Sequence, residues 1–245
     1  MNPINLFFIF WRLWLWLTIL FGLLFFSPAH IILISFERTY FLFHLFCRYW
    51  CRLVLFLNGY WLQVDQSPNI NPRNAYIICP NHTSKFDIIL LFAIFPGTFV
   101  FMGKKNVTQI SIFEWFYNKT MITFERGMVS SAYQAYRKSD RFLKKGKSIV
   151  VFPEGGVPPK NISLNKFKLG AFKLAINNQV PVVPVTFIDN KRKYPEDSLN
   201  LKLGRLRVVI HSPISTVGMS SNELSFLRNK TYNIINNTLL EHASK

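Results

Sequence analysis

The order of apolar and polar residues divides the 245-residue chain into two parts. Residues 4–26 are almost continuously apolar, with Arg12 as the only charge, and this length is enough to cross a bilayer. A second apolar segment, residues 29–57, carries four charged side chains. These charges favour a helix that lies partly in the membrane interface, or a hairpin with the first helix, over a second full span. Residues 1–57 are therefore predicted to form a motif of two helices that is membrane-embedded or interfacial.

Two other interpretations of the N-terminal segment remain. A cleavable signal peptide is disfavoured, because the apolar stretch is long and aromatic and lacks a basic start or a small-residue cleavage site. The other interpretation is a very apolar pair of helices in a soluble protein, which could have the same length and hydropathy as a membrane segment.

From residue 58 onward, short apolar runs alternate with stretches of helical spacing. Helical spacing is found over Val129–Lys145 and Leu164–Asn177, and an amphipathic surface helix is expected over Ser220–Lys245. The apolar runs predict seven strands: Tyr60–Asp65, Ala75–Cys79, Thr98–Met102, Thr120–Phe124, Ser148–Phe152, Val180–Phe187 and Arg205–His211. The alternation predicts an α/β domain over residues 58–245, with a largely parallel or mixed sheet flanked by helices.

Charge and composition narrow the class of partner. The chain has 29 Lys and Arg against 12 Asp and Glu, a net charge of +17, which favours nucleic acid or an anionic membrane surface. The 25 Phe and 6 Trp favour the membrane, so membrane phospholipids and no nucleic acid are expected. Cys47, Cys51 and Cys79 form no CxxC pair and no zinc spacing, which predicts neither a disulfide framework nor a metal site.

A histidine and an aspartate follow the second predicted strand, in the stretch Asn-His-Thr-Ser-Lys-Phe-Asp at residues 81–87. Five residues of ideal helix turn about 500°, so the two meet only if His82 precedes the helix and Asp87 lies in its first turn. Thr83 and Ser84 are good N-cap residues, which favours that geometry. The alternative is that Asp87 only stabilises the helix start and His82 is an ordinary loop residue.

Three further predicted strands end in charged groups beside a turn residue: Gly103-Lys104-Lys105, Glu125-Arg126-Gly127 and Glu154-Gly155. Each alone is most simply a solvated loop charge, but four such strand ends, counting His82, indicate a site. Together they offer one base and several cations able to hold a phosphate. Neither a cysteine nor a G-x-S-x-G serine stands out as a nucleophile, which favours direct transfer without a covalent enzyme intermediate.

These motifs resemble those of the glycerolipid acyltransferase family, whose bacterial type member makes phosphatidic acid from lysophosphatidic acid. The first family motif, Asn-His-x4-Asp, is met in full by Asn81, His82 and Asp87. Further matches, in the family's order, are Lys104-Lys105, Phe124–Gly127, Phe152–Gly155, Phe167–Phe172 and Val180–Val185. The third motif departs from the family, since Phe-Pro-Glu-Gly is commonly followed by Thr-Arg-Ser and here continues Gly-Val-Pro-Pro over residues 156–159. The missing guanidinium leaves Lys160, Lys166 and Lys168 as candidates to replace it, although a lysine lacks the bidentate fork.

The resemblance implies a reaction in which the acceptor's glycerol hydroxyl attacks an acyl thioester. His82 would be the general base and Asp87 would orient it. The acceptor phosphate would be held by Lys105 and Arg126, with Lys168 as a further substrate-binding residue.

Two more site residues are implied. Glu154 would order the site through hydrogen bonds to backbone or to Arg126, and Gly155 would allow the backbone to approach the substrate closely. Acyl-CoA or acyl carrier protein would be a co-substrate, with no other cofactor and no metal. The α/β domain is expected on the cytoplasmic face of a membrane, such as the bacterial inner membrane, where these thioesters occur.

Two alternatives to lysophosphatidic acid acylation stay open. The same fold could acylate glycerol-3-phosphate or a lyso-aminolipid, as the altered third motif allows. A non-enzymatic basic protein that binds membrane lipid would instead leave His82 and Asp87 dispensable, and its binding would fall steeply with salt.

Overall fold

The computed structural model describes residues 3–67, 69–104, 119–125, 127–195 and 201–243. Within these ranges the helices are α1 (Pro3–Phe25), α2 (Ser27–Ser35), α3 (Tyr40–Leu57), α4 (Phe86–Ile94), α5 (Val129–Lys144), α6 (Gly170–Asn178), α7 (Asn190–Lys193) and α8 (Leu224–Ala243). The strands are β1 (Tyr60–Gln66), β2 (Ile77–Pro80), β3 (Phe99–Lys104), β4 (Met121–Phe124), β5 (Ser148–Val151), β6 (Val182–Phe187) and β7 (Gly204–Ile210). Short 3-10 turns occupy Glu37–Thr39 and Ser221–Glu223.

The seven strands form one mixed sheet in the order β1-β7-β6-β2-β5-β3-β4. Strands β6, β2, β5, β3 and β4 run parallel, whereas β7 is antiparallel to β6 and carries β1 parallel to itself. All seven predicted strands are present, and no end differs from the prediction by more than two residues. The predicted mixed α/β architecture is confirmed.

The core lies on both faces of this sheet. Ile78 packs in an apolar layer with side chains of α3 and α4, among them Leu55 and Leu90. Its neighbour Ile77 faces the other layer, which contains Phe172 of α6 and Ile235 of α8. Because successive strand residues point to opposite faces, burial on both sides explains why the central strands read as continuous apolar runs.

The second apolar segment is divided into two helices, whereas the sequence predicts one unit over residues 29–57. Phe36 adopts an extended conformation (φ −108°, ψ 134°) that ends α2, and α3 begins only after the turn Glu37–Thr39. The Thr39 hydroxyl donates to the carbonyl of Leu33 at 2.9 Å, which satisfies an acceptor at the end of α2. The N-terminal region therefore contains three helices instead of the predicted two.

The N-terminal helices pack on the α/β domain by one side only. Leu15 of α1 is buried in the core, and the Arg12 guanidinium donates to the carbonyl of Pro195 at 2.5 Å. Away from this contact, α1 exposes large apolar side chains such as Phe10 and Phe25, each more than 60% exposed. The segments Leu6–Phe25 and Glu37–Leu57 are long and apolar enough to cross a membrane by length and composition.

Candidate active site

Three neighbouring parallel strands bring the candidate groups to one edge of the sheet, where their carboxyl ends meet. Strand β2 lies between β6 and β5, and all three run in the same direction. His82 follows β2, Glu154 follows β5 and Asn190 follows β6. Since parallel strands end at a common edge, residues more than 100 positions apart in the chain meet there.

His82 and Asp87 are in contact. His82 lies in the loop after β2, and its Nδ1 is 2.8 Å from Oδ2 of Asp87, the second residue of α4. Asp87 is fully buried, whereas the His82 side chain is 19% exposed, and its ring stacks on Phe152 with centroids 4.1 Å apart. The nitrogen that faces the carboxylate carries the proton in this arrangement, which leaves Nε2 as the proton-accepting nitrogen.

The helix start differs from the expectation that Thr83 or Ser84 is the N-cap. Helix α4 begins at Phe86, and the N-cap position is Lys85, without a side-chain cap hydrogen bond. The Ser84 hydroxyl accepts from the Phe86 amide at 3.2 Å, ahead of the helix proper. The physical reason is that the Asp87 carboxylate binds the amides of Thr83 and Ser84, which keeps both residues in the loop.

Asp87 accepts hydrogen bonds from donors on two elements. The amides of Thr83 and Ser84 donate to Oδ2 at 2.5 and 3.0 Å, and the Thr83 hydroxyl donates to Oδ1 at 2.5 Å. Asn190 adds a donor from α7, with its side-chain nitrogen 2.8 Å from Oδ1. A buried carboxylate is tolerated when its oxygens are hydrogen-bonded in this way, so Asp87 is fixed as a partner for His82.

Asn81, the first residue of the Asn-His motif, fastens the loop of residues 81–85, here called the His82 loop, to β6. Its side-chain carbonyl accepts from the Phe187 amide at 2.7 Å, and its side-chain amide donates to the Phe187 carbonyl at 3.1 Å. Asn81 is 2% exposed. These two bonds extend the hydrogen bonding between β2 and β6 past the end of β2, with a side chain in place of the backbone. They hold His82 at the end of the strand.

Glu154 binds the His82 loop from a second direction. Its carboxylate accepts from the His82 amide at 2.6 Å and from the Asn165 amide at 2.7 Å. Both donors are backbone amides, so Glu154 joins the His82 loop to the stretch that follows the third motif. Burial raises the pKa of Glu154 to about 7, although the hydrogen bonds from the His82 and Asn165 amides oppose this shift.

The stretch after the third motif is irregular where a helix was predicted from Leu164. Helix α6 begins only at Gly170, because backbone amides before it form hydrogen bonds outside the helix. The Asn165 amide donates to Glu154, and the Lys168 amide donates to the Pro153 carbonyl at 2.8 Å. These bonds hold the stretch against the Phe-Pro-Glu-Gly motif.

The side chain of Lys168 lies against Gly155. Gly155 has φ +74°, and a Cβ placed on it would come within 2.6 Å of the Lys168 ammonium nitrogen. Glycine suits this position because φ lies in the left-handed region and because the methyl group of another residue would displace the end of the Lys168 side chain. Of the three lysines proposed to replace the missing arginine, Lys168 is therefore the one in contact with the Phe-Pro-Glu-Gly motif.

The other two lysines face different surroundings. Lys166 lines a separate cavity with Arg228 and Tyr232. Lys160 lines a cavity of about 470 Å³ that also contacts Asn81 and Thr83 of the His82 loop.

This cavity beside the His82 loop has a basic wall. Arg207 and Arg192, which both line it, donate to the Asp189 carboxylate at 2.8 and 3.0 Å. Burial raises the pKa of Asp189, but the hydrogen bonds from Arg207 outweigh it and the pKa is lowered overall. The wall is thus partly neutralised, and Lys160 adds a cation that lies outside this Asp189 cluster.

Two predicted site residues, Lys105 and Arg126, lie outside the described residues. The strands that precede them, β3 and β4, run parallel to β5 and end at the same edge as β2, with Lys104 paired opposite Phe124.

Asn190 is the site residue that the sequence analysis missed. It is fully buried and contacts Asp87 directly. A signal was present, because Asn190 follows the end of the predicted strand Val180–Phe187, and the argument from strand ends applies there as well.

Known proteins are similar to this chain in sequence and in fold. Residues 62–188 match the family model described as Acyltransferase, which is more than half of the chain. A chloroplastic 1-acyl-sn-glycerol-3-phosphate acyltransferase from Arabidopsis thaliana is 31% identical over 153 residues, 62% of this chain and 42% of that protein. The 1-acyl-sn-glycerol-3-phosphate acyltransferase alpha of Bos taurus is 25% identical over 181 residues, 72% of this chain and 62% of that protein.

An uncharacterized acyltransferase of Schizosaccharomyces pombe is 26% identical over 185 residues, 73% of this chain and 65% of that protein. The chain thus spans less than two thirds of the length of each of these relatives. The crystal structure of the 1-acyl-sn-glycerophosphate (LPA) acyltransferase PlsC from Thermotoga maritima aligns with a TM-score of 0.81 and 20% identity, over 99% of this chain and 98% of that one. That likeness shows a shared fold, and the family match, which includes the His82–Asp87 motif, shows that this chain belongs to the acyltransferase family.

Proposed function

We propose that this protein transfers an acyl chain from an acyl thioester to the free hydroxyl of lysophosphatidic acid, giving phosphatidic acid for phospholipid synthesis. The observation that carries the proposal is the 2.8 Å contact between His82 Nδ1 and the buried Asp87 carboxylate. It makes the exposed side of the imidazole a base at the end of β2. The names of the relatives support lysophosphatidic acid as the acceptor.

The chemistry needs one base that returns its proton. His82 Nε2 takes the proton of the acceptor hydroxyl as the hydroxyl oxygen attacks the thioester carbonyl carbon. The resulting tetrahedral intermediate collapses, the carbon–sulfur bond breaks, and the imidazolium gives the proton to the leaving thiolate. Asp87 holds the ring in the required tautomer and stabilises the imidazolium between the two steps.

The acceptor phosphate needs cations close to this base. In the described part of the chain, Lys168 is suitably placed. It lies against Gly155, and the neighbouring Glu154 is hydrogen-bonded to the His82 amide. Lys105 and Arg126 are proposed to complete the phosphate site. A lysine supplies a point charge without the fork of an arginine, so this site depends on charge more than on bidentate geometry.

The proposed donor is acyl-CoA or acyl carrier protein. Both place the enzyme on the cytoplasmic face of a membrane, and in a bacterium this would be the inner membrane. The exposed apolar side chains of α1 support attachment to that membrane, where the lysolipid acceptor is found.

One observation favours a second candidate acceptor. The third motif continues Gly-Val-Pro-Pro over residues 156–159 in place of the family's Thr-Arg-Ser, and Val157 and Pro158 line the 470 Å³ cavity. Glycerol-3-phosphate or a lyso-aminolipid would then accept the acyl chain by the same chemistry.

An acceptor panel tests the proposal. The full-length protein, reconstituted in lipid, is given a radiolabelled acyl thioester with lysophosphatidic acid, glycerol-3-phosphate or a lyso-aminolipid. Fastest transfer to lysophosphatidic acid is expected. Transfer only to another acceptor would overturn the substrate and keep the reaction, whereas no transfer by a folded, lipid-bound protein would favour a lipid-binding protein without catalysis.

A further inference from the structure

We propose that a second anion site, separate from the edge that carries His82, binds the phosphate group of an anionic membrane phospholipid. The site is a cavity of about 200 Å³ between α5 and the turn that joins α2 to α3, here called the basic cleft. Its charged lining residues are Glu37, Lys119, Lys138, Arg141, Lys145 and Lys147. The proposal does not depend on the acyl-transfer reaction.

The basic cleft has a large excess of positive charge. Five cations line it, and Glu37 is the single carboxylate among its described lining residues. Glu37 is paired with Lys145 at 2.6 Å, and both side chains of this pair are at least half exposed. An exposed pair contributes little energy, so an incoming phosphate can displace Glu37 from Lys145 at small cost.

Lys147 is the most buried of these cations. It is 8% exposed, and burial lowers the pKa of its ammonium group although Glu37 opposes that shift. Its nitrogen lies 3.4 Å from the ring centroid of Tyr40, a cation–π contact. A buried charge of this kind is stabilised by a nearby anion, for which the cleft leaves room.

Tyr40 supplies an unused hydrogen-bonding group. Tyr40 is 3% exposed and lines the cleft, and its hydroxyl has no hydrogen-bond partner among the described residues. A buried hydroxyl without a partner is unfavourable, and a phosphate oxygen would satisfy it. The cleft volume equals roughly six or seven water molecules at about 30 Å³ each, which is enough for a phosphate group.

The surroundings of the cleft identify a membrane lipid as the source of the phosphate. Phe36 and Phe41 are next in sequence to the cleft residues Ser35 and Tyr40, and they are 61% and 55% exposed. Ile32, on the last turns of α2, is 58% exposed. Exposed apolar side chains beside clustered cations are the combination that an anionic membrane interface selects.

The basic cleft is distinct from the proposed acceptor site. Lys147 precedes β5 and Glu154 follows it, so the two sites lie at opposite ends of this strand. The four residues of β5 alone span roughly 13 Å at about 3.3 Å per residue.

A pair of double variants tests the proposal. Arg141→Gln with Lys145→Gln removes two charges from the cleft. The control, Arg137→Gln with Lys144→Gln, removes one Arg and one Lys of α5 that lie outside the cleft. Each full-length protein, in a neutral detergent, is titrated with fluorescent short-chain phosphatidylglycerol and with phosphatidylcholine of the same chain length. We expect the cleft variant to lose about tenfold in phosphatidylglycerol affinity and the control less than twofold. Any lipid binding at the sheet edge that carries His82 is the same in the two double variants, so it does not affect their comparison.

The variant Tyr40→Phe isolates the hydroxyl. Several-fold weaker phosphatidylglycerol binding is expected, with a melting temperature equal to or above that of the wild type, because the variant removes a buried hydroxyl that has no described protein partner. Equal losses in the two double variants, or equal affinity of the wild type for the two lipids, would overturn the proposal. Binding of inorganic phosphate to the cleft without any preference for the anionic lipid would overturn the assignment to a membrane lipid.

Discussion

The side-chain amide of Asn190 donates to the Asp87 carboxylate at 2.8 Å, although 103 residues separate them in the chain. Asn190 is fully buried, and its own side-chain carbonyl oxygen has no partner among the described residues. An unsatisfied buried acceptor costs about 1–3 kcal/mol. The unsatisfied oxygen of Asn190 is unfavourable for stability, whereas its side-chain nitrogen holds Asp87, the partner of His82. This combination indicates that Asn190 is a positioning residue.

Asn190→Ala is expected to lower kcat about tenfold while the KM of each substrate stays within twofold. The reason is that Asp87 loses a donor and no longer holds His82 in one orientation, whereas substrate contacts are untouched. Steady-state kinetics on both substrates measure this. The control is Asn178→Ala, whose amide donates to the Leu174 carbonyl at the end of α6. A rise in KM with unchanged kcat would contradict a positioning role.

Glu154 is expected to make the stability of the protein depend on pH. Its pKa of about 7 lies above the ordinary value of 4.5, so the folded state holds a proton that the unfolded state has released between these values. The stabilisation is fully present below pH 4.5, falls as the pH rises to about 7, and amounts to about 3 kcal/mol at 1.36 kcal/mol per pKa unit.

Melting curves of the wild type and Glu154→Gln, from pH 4 to pH 8 in one detergent, measure the effect. The wild type should lose stability relative to the variant as the pH rises, since glutamine cannot ionise. Parallel curves would show that Glu154 keeps its ordinary pKa.

Gly155→Ala is expected to destabilise the fold by about 1–2 kcal/mol, the cost of an L-residue in a left-handed conformation. It should also displace the Lys168 ammonium group, which would lie 2.6 Å from the new methyl. Gly156→Ala is the control, because a Cβ there meets no atom within 4 Å and its φ is not positive. Thermal unfolding of the two variants should differ clearly, and equal melting temperatures would contradict this account.

Lys168→Ala is expected to raise the KM for the acceptor about tenfold and to leave the KM for the thioester unchanged, because Lys168 is proposed to bind the acceptor phosphate. Lys166→Ala removes the same charge two residues away, from the cavity that Lys166 lines with Arg228 and Tyr232, and should change neither value. The two variants are compared in one kinetic assay. Similar effects from both would indicate a general electrostatic contribution without a specific contact.

The sheet could be predicted from the sequence because its strands are buried on both faces. Ile77 and Ile78 belong to opposite apolar layers, and burial on both faces produces the continuous apolar runs that predict the central strands. The meeting of His82 and Asp87 was also predictable, since both lie within one local turn and its geometry follows from a loop that passes into a helix.

Other features depend on contacts that are distant in the chain. The helix predicted from Leu164 starts only at Gly170, because the Asn165 amide is bonded to Glu154 on another strand end. The position of Asn190 after a predicted strand marks it as a strand-end residue, but its contact with Asp87 depends on the parallel pairing of β2 and β6. Spacing along the chain does not encode either contact.

The most direct test of the central claim, that His82 is the general base, is single-turnover acyl transfer to lysophosphatidic acid by His82→Ala beside the wild type. The control is His211→Ala, which removes a histidine bonded to Thr186 at 2.9 Å outside the site. Melting temperatures first establish that both variants are folded. The rate of His82→Ala should then fall by a factor of about 10²–10⁴, the usual contribution of a general base, and the rate of His211→Ala should equal that of the wild type. Transfer by His82→Ala at close to the wild-type rate would contradict the claim.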